Sequence, residues 1–141
     1  MVVASVAAAL CGASALPMQY LAAPRWSVRV VNEAGEPIEG MTVRMTWENY
    51  SVEDAGHEKD LVSDRNGAVI FPSERSSASL LRRLFYSGLS SMALAHASYG
   101  PHATVFTFGQ NRKGDAIANG IVVNWNGSPA EMRSEIVARL R

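Results

Sequence analysis

The chain has 141 residues, with 13 Lys plus Arg balanced by 13 Asp plus Glu, three His and one Cys. A body of this length buries about two thirds of its unfolded surface, so it holds a core without a disulfide or metal staple. A formal net charge of zero leaves no field to gather a polyanion, which argues against nucleic acid as a partner. Eleven of the basic residues are Arg, and only Lys59 and Lys113 are Lys, a compositional bias without functional content.

The first charged residue is Arg25, and Met1 to Ala15 is small or apolar throughout. That run has the length of a signal-peptide core, and Ala13-Ser14-Ala15 is the small-x-small pattern that signal peptidase accepts. No basic residue precedes it, which leaves an uncleaved anchor as a second reading. A helix over Val2 to Ala23 is roughly 33 Å long, enough for a hydrocarbon core of ~30 Å, with Pro17 and Gln19 counting against it. Lipid attachment at Cys11 is a third, weakened by Leu10 where a small residue is required. In each case residues 1–23 are a signal peptide or membrane anchor, and 24–141 form one exported domain, periplasmic or at the cell surface. Membrane contact is then expected only through the N-terminal segment, if it is retained. Cleavage after Ala15 leaves a mature chain without cysteine, held by packing alone.

From Trp26 the pattern is that of a half-buried strand: Trp26, Val28 and Val30 alternate with Ser27 and Arg29. Asn32 to Gly40, with Gly35 and Pro37, reads as a turn. Met41, Val43, Met45 and Trp47 alternate with Thr42, Arg44, Thr46 and Glu48, which predicts a second strand with one face in a core. Ser51 to Lys59 is an acidic, solvated loop. Asp64-Arg65-Asn66-Gly67 is a tight-turn signal, and Leu61 to Phe71 reads as a hairpin around it. Leu80, Leu81, Leu84 and Phe85 recur at helical spacing, predicting a helix over 76–89 with Ser76 or Ser77 as N-cap and Gly88 as terminator. Met92 to Tyr99 alternates, Gly100-Pro101 breaks it, and Ala103 to Phe108 resumes. Gln110 to Gly120 reads as a polar loop and Ile121 to Trp125 as a strand. Over 129–141 two patterns coexist: Ser128-Pro129-Ala130-Glu131 starts a helix in its local chemistry, while Met132, Ser134, Ile136, Ala138 and Leu140 also alternate as in a strand.

The order of strand Trp26 to Val31, turn Gly35-Glu36-Pro37-Ile38-Glu39-Gly40, strand Met41-Thr42-Val43, and Ser63-Asp64-Arg65-Asn66-Gly67-Ala68-Val69-Ile70-Phe71 resembles the carboxypeptidase regulatory-like domain. The resemblance covers Trp26 to Pro72. It implies a mainly β fold, a transthyretin-like (Ig-like) antiparallel sandwich of about seven strands with one helix, and a strand rather than a helix at the C-terminal end. It implies no activity, because sandwiches of this kind host many.

The residues that carry chemistry do not assemble a familiar motif. Glu53, Asp54, His57, Glu58 and Asp60 lack the alternating oxygens and glycine of a calcium loop, and read as a solvated face. His96 and His102, with Tyr99 between them, are the nearest approach to an acid–base or metal pair, but Gly100-Pro101 destroys their strand parity and no third ligand follows. No serine stands in a Gly-x-Ser-x-Gly elbow, and no glycine-rich nucleotide loop is present. The essential histidine and Tyr-Arg-Gly-Ser tail of hydroxyisourate hydrolase, a transthyretin-like enzyme, have no counterparts here. Trp26, Trp47, Tyr50, Tyr99 and Trp125 could stack on sugar faces, although Trp26 and Trp47 have core parity. No catalytic residue, cofactor or metal is therefore expected. The expected ligand or partner surface is Tyr50, His96, Tyr99, His102 and Trp125. The expected function is a non-catalytic, exported structural or protein-interaction module, its partner a protein or cell-envelope component. A carbohydrate-binding module is the alternative, and a small extracytoplasmic hydrolase using His96 and His102 the third reading.

Overall fold

The computed structural model describes residues 14–92 and 98–141. Its described residues form twelve strands and a thirteen-residue helix. β1 (Pro17–Ala23) pairs with β6 (Glu74–Ser79) in a separate two-stranded ribbon. Two layers hold the core. One runs β4 (His57–Val62), β3 (Thr42–Asn49), β7 (Pro101–Gly109), β8 (Arg112–Ala118), and the other continues from β8 to β11 (Glu131–Val137), β2 (Arg25–Val31) and β5 (Ala68–Phe71). Short β9 (Ile121–Val122) and β12 (Arg139–Leu140) lie on β8, and β10 (Asn124–Trp125) on β7. Mainly β with one helix, as the sequence predicts, the fold is a sandwich closing toward a barrel.

The core follows the predicted parity. Trp26, Val28 and Val30 from β2, Met41, Val43 and Met45 on the β3 side, and Phe71, Trp125 and Ile136 are all buried in one cluster. Each such side chain contributes about 1.5–3 kcal/mol on full burial. Trp47, at the end of the β3 alternation, is only half-buried.

β8 is the strand that joins the layers. Its first half, through Asp115, pairs with β7, and Ala116 and Ile117 pair with β11. Gly114 sits at the crossing, where a Cβ would stand 2.6 Å from the Val137 carbonyl oxygen and 2.8 Å from Ile136 Cγ2. Only glycine permits the two strands to approach so closely. The expected polar loop over 110–120 is thus mostly strand, because the inward Ala116, fully buried, outweighs the turn-like composition around it.

Four further expectations are corrected. Leu61 to Phe71 is not a hairpin: β4 pairs with β3 and β5 with β2, so the Asp64–Gly67 turn carries the chain from one layer to the other. The Ser63 side chain anchors that corner, accepting from Met41 N at 2.9 Å and donating to Ile38 O at 2.7 Å. The sandwich is not wholly antiparallel, since β11 runs parallel to β2 from Glu131↔Arg25 to Val137↔Val31. This pairing also resolves the ambiguous C-terminal run as strand, with Ile136 buried and Trp26 Nε1 donating to Ser134 Oγ at 3.0 Å. The helix, α1, runs Leu80–Met92; residues 76–79 are instead in β6, Ala78 is buried, and Ser79 Oγ accepts from Arg82 N at 3.2 Å as the cap. Finally, residues 17–23, placed by the sequence in the N-terminal segment, are built into the fold as β1, with Ala22 and Ala23 buried. The signal-peptidase pattern ending at Ala15 leaves β1 whole. Residues 1–13, including Cys11, and residues 93–97 lie outside the described residues.

Candidate functional site

The alternation along β3 that buries Val43 and Met45 sends Thr42, Arg44, Thr46 and Glu48 to the opposite, solvent face. β7 and β4 flank β3 in register. Opposite Arg44 lie Phe106 and Asp60, opposite Thr46 lie Thr104 and Glu58, and opposite Glu48 lies His102. Two consecutive strands and the distant β7 thus place hydroxyls, carboxylates and an imidazole in adjacent rows.

The lower row is an ion-pair plug. Arg44 grips Asp60 with Nε and Nη2, both at 2.7 Å, and reaches Glu58 with Nη1 at 2.9 Å. Its guanidinium lies 5.3 Å from the Phe108 ring centre. The bidentate bond holds the Asp60 carboxyl below the ordinary aspartate range. In the next row Thr46 Oγ1 and Thr104 Oγ1 share a hydrogen bond of 2.7 Å.

Above these rows the β3–β4 connection and the start of β7 form the rim of a cleft of about 390 Å³, lined by Thr46, Glu48, Tyr50, Glu58, His102 and Thr104, with Trp47 and His57 alongside. The connection is tied down by Glu53, which accepts from Asn49 N at 2.7 Å and bonds His57 Nε2 at 2.9 Å. His57 in turn stacks on Trp47, ring centres 5.4 Å apart. Tyr50 meets His102 edge to face at 5.2 Å, and His102 Nε2 donates to Tyr99 O at 3.0 Å. Burial, and then the nearby Glu53 and Asp54 carboxylates, push the Glu48 carboxyl above the ordinary glutamate range, against smaller opposing effects of His57 and His102.

A raised carboxyl pKa in the folded state means that the fold favours protonated Glu48. Stability is therefore lost as pH rises from the ordinary glutamate value through the folded one. Glu48→Gln is expected to raise the thermal midpoint at neutral pH and to leave it unchanged in acid below the ordinary glutamate value. Equal midpoint changes at both pH values would show that Glu48 ionisation is not involved.

Of the residues expected to form a surface, Tyr50 and His102 meet in this cleft. Tyr99 lies beside it through its carbonyl, while its hydroxyl shares a 2.9 Å hydrogen bond with Ser91 Oγ. Trp125 is corrected to the core: it is fully buried, and its Nε1 donates to Pro129 O at 2.6 Å. It sits on β10 against Ala103 of β7, so pairing with β7 turns the indole inward. His96 lies outside the described residues. Sequence reasoning missed Thr46, Glu48 and Thr104, although the β3 alternation put the first two on the outer face. It also took His57 and Glu58 for a solvated loop, whereas they begin β4. Among the described residues, no group of three or more His, Cys, Asp or Glu is placed to hold a metal ion.

Fold and cleft together define a mainly β sandwich with a half-open polar and aromatic cleft on one outer sheet face. No family model matches the sequence, and no curated protein matches it. Among solved structures, 3-chlorocatechol 1,2-dioxygenase from Rhodococcus opacus is similar with a TM-score of 0.48 and 11% identity, over 87% of this chain and 62% of that one. The chain thus spans less than two thirds of that enzyme, and a likeness at this level carries no functional argument.

Proposed function

We propose that this chain is a non-catalytic, exported β-sandwich binding module that takes a carbohydrate of the cell envelope in the cleft beside Tyr50 and His102. The observation that carries this reading is the composition of the cleft: aromatic rings, the Glu48 and Glu58 carboxylates and the Thr46–Thr104 hydroxyl pair share one cup. Sugar rings present apolar C–H faces and hydroxyl edges, and rings beside carboxylates and hydroxyls match both. A volume of about 390 Å³ suits a small ligand. The hydroxyls of Thr46 and Thr104 share one hydrogen bond, which leaves one hydroxyl hydrogen and further oxygen lone pairs to meet the hydroxyls of a ligand. Export rests on the apolar run Met1 to Ala15 and its Ala13-Ser14-Ala15 pattern. The turn and strand order over Trp26 to Pro72 supports a transthyretin-like module of the carboxypeptidase regulatory-like kind.

The test is retention on a polysaccharide panel and glycan array. Wild type is expected to bind, and Tyr50→Ala to weaken binding about tenfold, the loss of one stacking ring. Retention of no glycan by the folded protein, or equal retention after both Tyr50→Ala and Glu48→Gln, would overturn the reading.

A further inference from the structure

The sheet face that carries the cleft continues past the Arg44 plug into a second recess. Phe108 of β7 stands opposite Lys113 of β8, and Lys113 opposite Arg139 of β12. In the next row Phe106 stands opposite Asp115. Directly opposed residues share a side of the sheet, and the inward side here is taken by Thr107 and Ala116, both buried, so these five point outward. They line a groove of about 640 Å³ whose apolar part is Phe106, Phe108, Ile117 and Val137, with Arg141 beside Arg139. The backbone that presents the cations is pinned: Arg112 Nη1 donates to Ala138 O at 2.9 Å, and Arg141 N to Asn111 O at 3.0 Å.

Charge and lining together select the occupant. Among the described residues, the side chains of Lys113, Arg139 and Arg141 have no hydrogen-bond or ion-pair partner. Lys113 and Arg139 are like charges set directly opposite each other, a repulsive arrangement that a bridging anion relieves. Asp115 is the one acidic side chain in the lining, so the groove has a positive excess, which a terminal carboxylate on Arg141 would not cancel. Asp60 and Glu58 belong to β4, three strand spacings or about 14 Å from β8, beyond the screening length of about 10 Å at 0.1 M salt. The uncharged side chains offer a ligand no hydrogen bond: Thr107, the only hydroxyl of the lining, is buried and donates to Thr42 O at 2.7 Å. A sugar suits this groove less than it suits the cleft. A flat apolar body suits the Phe106 and Phe108 rings, whose centres are 6.0 Å apart, and a carboxylate at its edge suits Lys113 and the planar fork of Arg139.

We propose that this groove binds a small aromatic carboxylate, with its ring over Phe106 and Phe108 and its carboxylate between Lys113 and Arg139. Asp115, opposite Phe106, repels the carboxylate toward the Lys113 end. The volume lies within the range of small-molecule sites, and the site is separate from the carbohydrate cleft. The test is equilibrium dialysis of the full chain with naphthoate, against naphthylmethanol, which keeps the rings and lacks the charge. Naphthoate is expected to bind about tenfold more tightly than the alcohol, and less tightly as salt is added. Lys113→Gln/Arg139→Gln should weaken naphthoate binding about tenfold with circular dichroism unchanged, since both side chains are exposed. Asp115→Asn should strengthen it about twofold to threefold by removing a like charge. Tyr50→Ala should leave it unchanged, so the result stands apart from any glycan in the cleft. No binding of naphthoate, equal affinity for the alcohol, or equal binding by the double variant would overturn the proposal. Loss of binding in Tyr50→Ala would do so too, by placing the ligand in the cleft. Self-association of the free chain in sedimentation velocity, abolished in the double variant, would assign the groove to a second copy and likewise overturn it.

Discussion

Trp125→Ala is expected to lose about 3–5 kcal/mol of unfolding free energy, the range for deleting a large buried aromatic, read as a lower urea midpoint. The indole is fully buried in the cluster that includes Trp26, Phe71, Ala103 and Ile136, and the layers cannot close over the space it leaves without moving β10 off β7. Trp125→Phe separates two contributions. It restores most of the ring but removes the donor to Pro129 O, and should cost about 1–3 kcal/mol when that oxygen loses its partner. Tyr50→Ala, at the half-buried rim of the cleft, should cost less stability than either and change ligand retention instead. A Trp125→Ala protein as stable as wild type would return the indole to the surface, where the sequence alone places it.

Gly67→Ala carries the second large effect, roughly 3 kcal/mol when left-handed strain is added to a lost hydrogen bond. Gly67 has φ of +70°, and a Cβ there would collide with the Val30 carbonyl oxygen and stand 3.2 Å from Pro37 Cβ. The neighbouring backbone is fixed: Val30 N donates to Gly67 O at 2.7 Å, and Ile38 N to Val30 O at 3.0 Å. Asp64 Oδ1 holds the turn by accepting from Asn66 N and Ala68 N, both at 2.8 Å. Gly35 supplies the control, since its φ is +81° but nothing lies within 4 Å of a Cβ. Asn, which tolerates positive φ, should therefore be nearly neutral at 35 and still destabilising at 67, as measured by thermal unfolding. Equal effects at the two positions would mean that backbone strain alone, without the approach to β2, explains the glycine.

These two residues also mark what could be read in the chain. The Asp64–Gly67 turn was legible because Asn and Gly reveal positive φ locally. That it joins two layers was not, since the partners of β4 and β5 lie on β3 and β2. Glu48 and Thr46 could be put on an outer face from alternation. Their meeting with His102 and Thr104, more than fifty residues away, required the register of β7. His57 looked like loop because Glu53, Asp54 and Glu58 surround it, yet its ring is stacked on Trp47 and held by Glu53.

By itself the sequence determined the mainly β class, the inward rows of β2 and β3, the positive-φ turns, the existence of one helix, though not its start, and an apolar N-terminal run. Each is a local property, set by side-chain period or by one residue's backbone freedom. Tertiary structure decided the strand identity of 131–137, the burial of Trp125, the crossing of β8 at Gly114 and the assembly of the cleft. It also decided that the apolar stripe of α1 faces outward, because a period of 3.6 specifies that a helix has two faces and leaves to the packing which one meets the core.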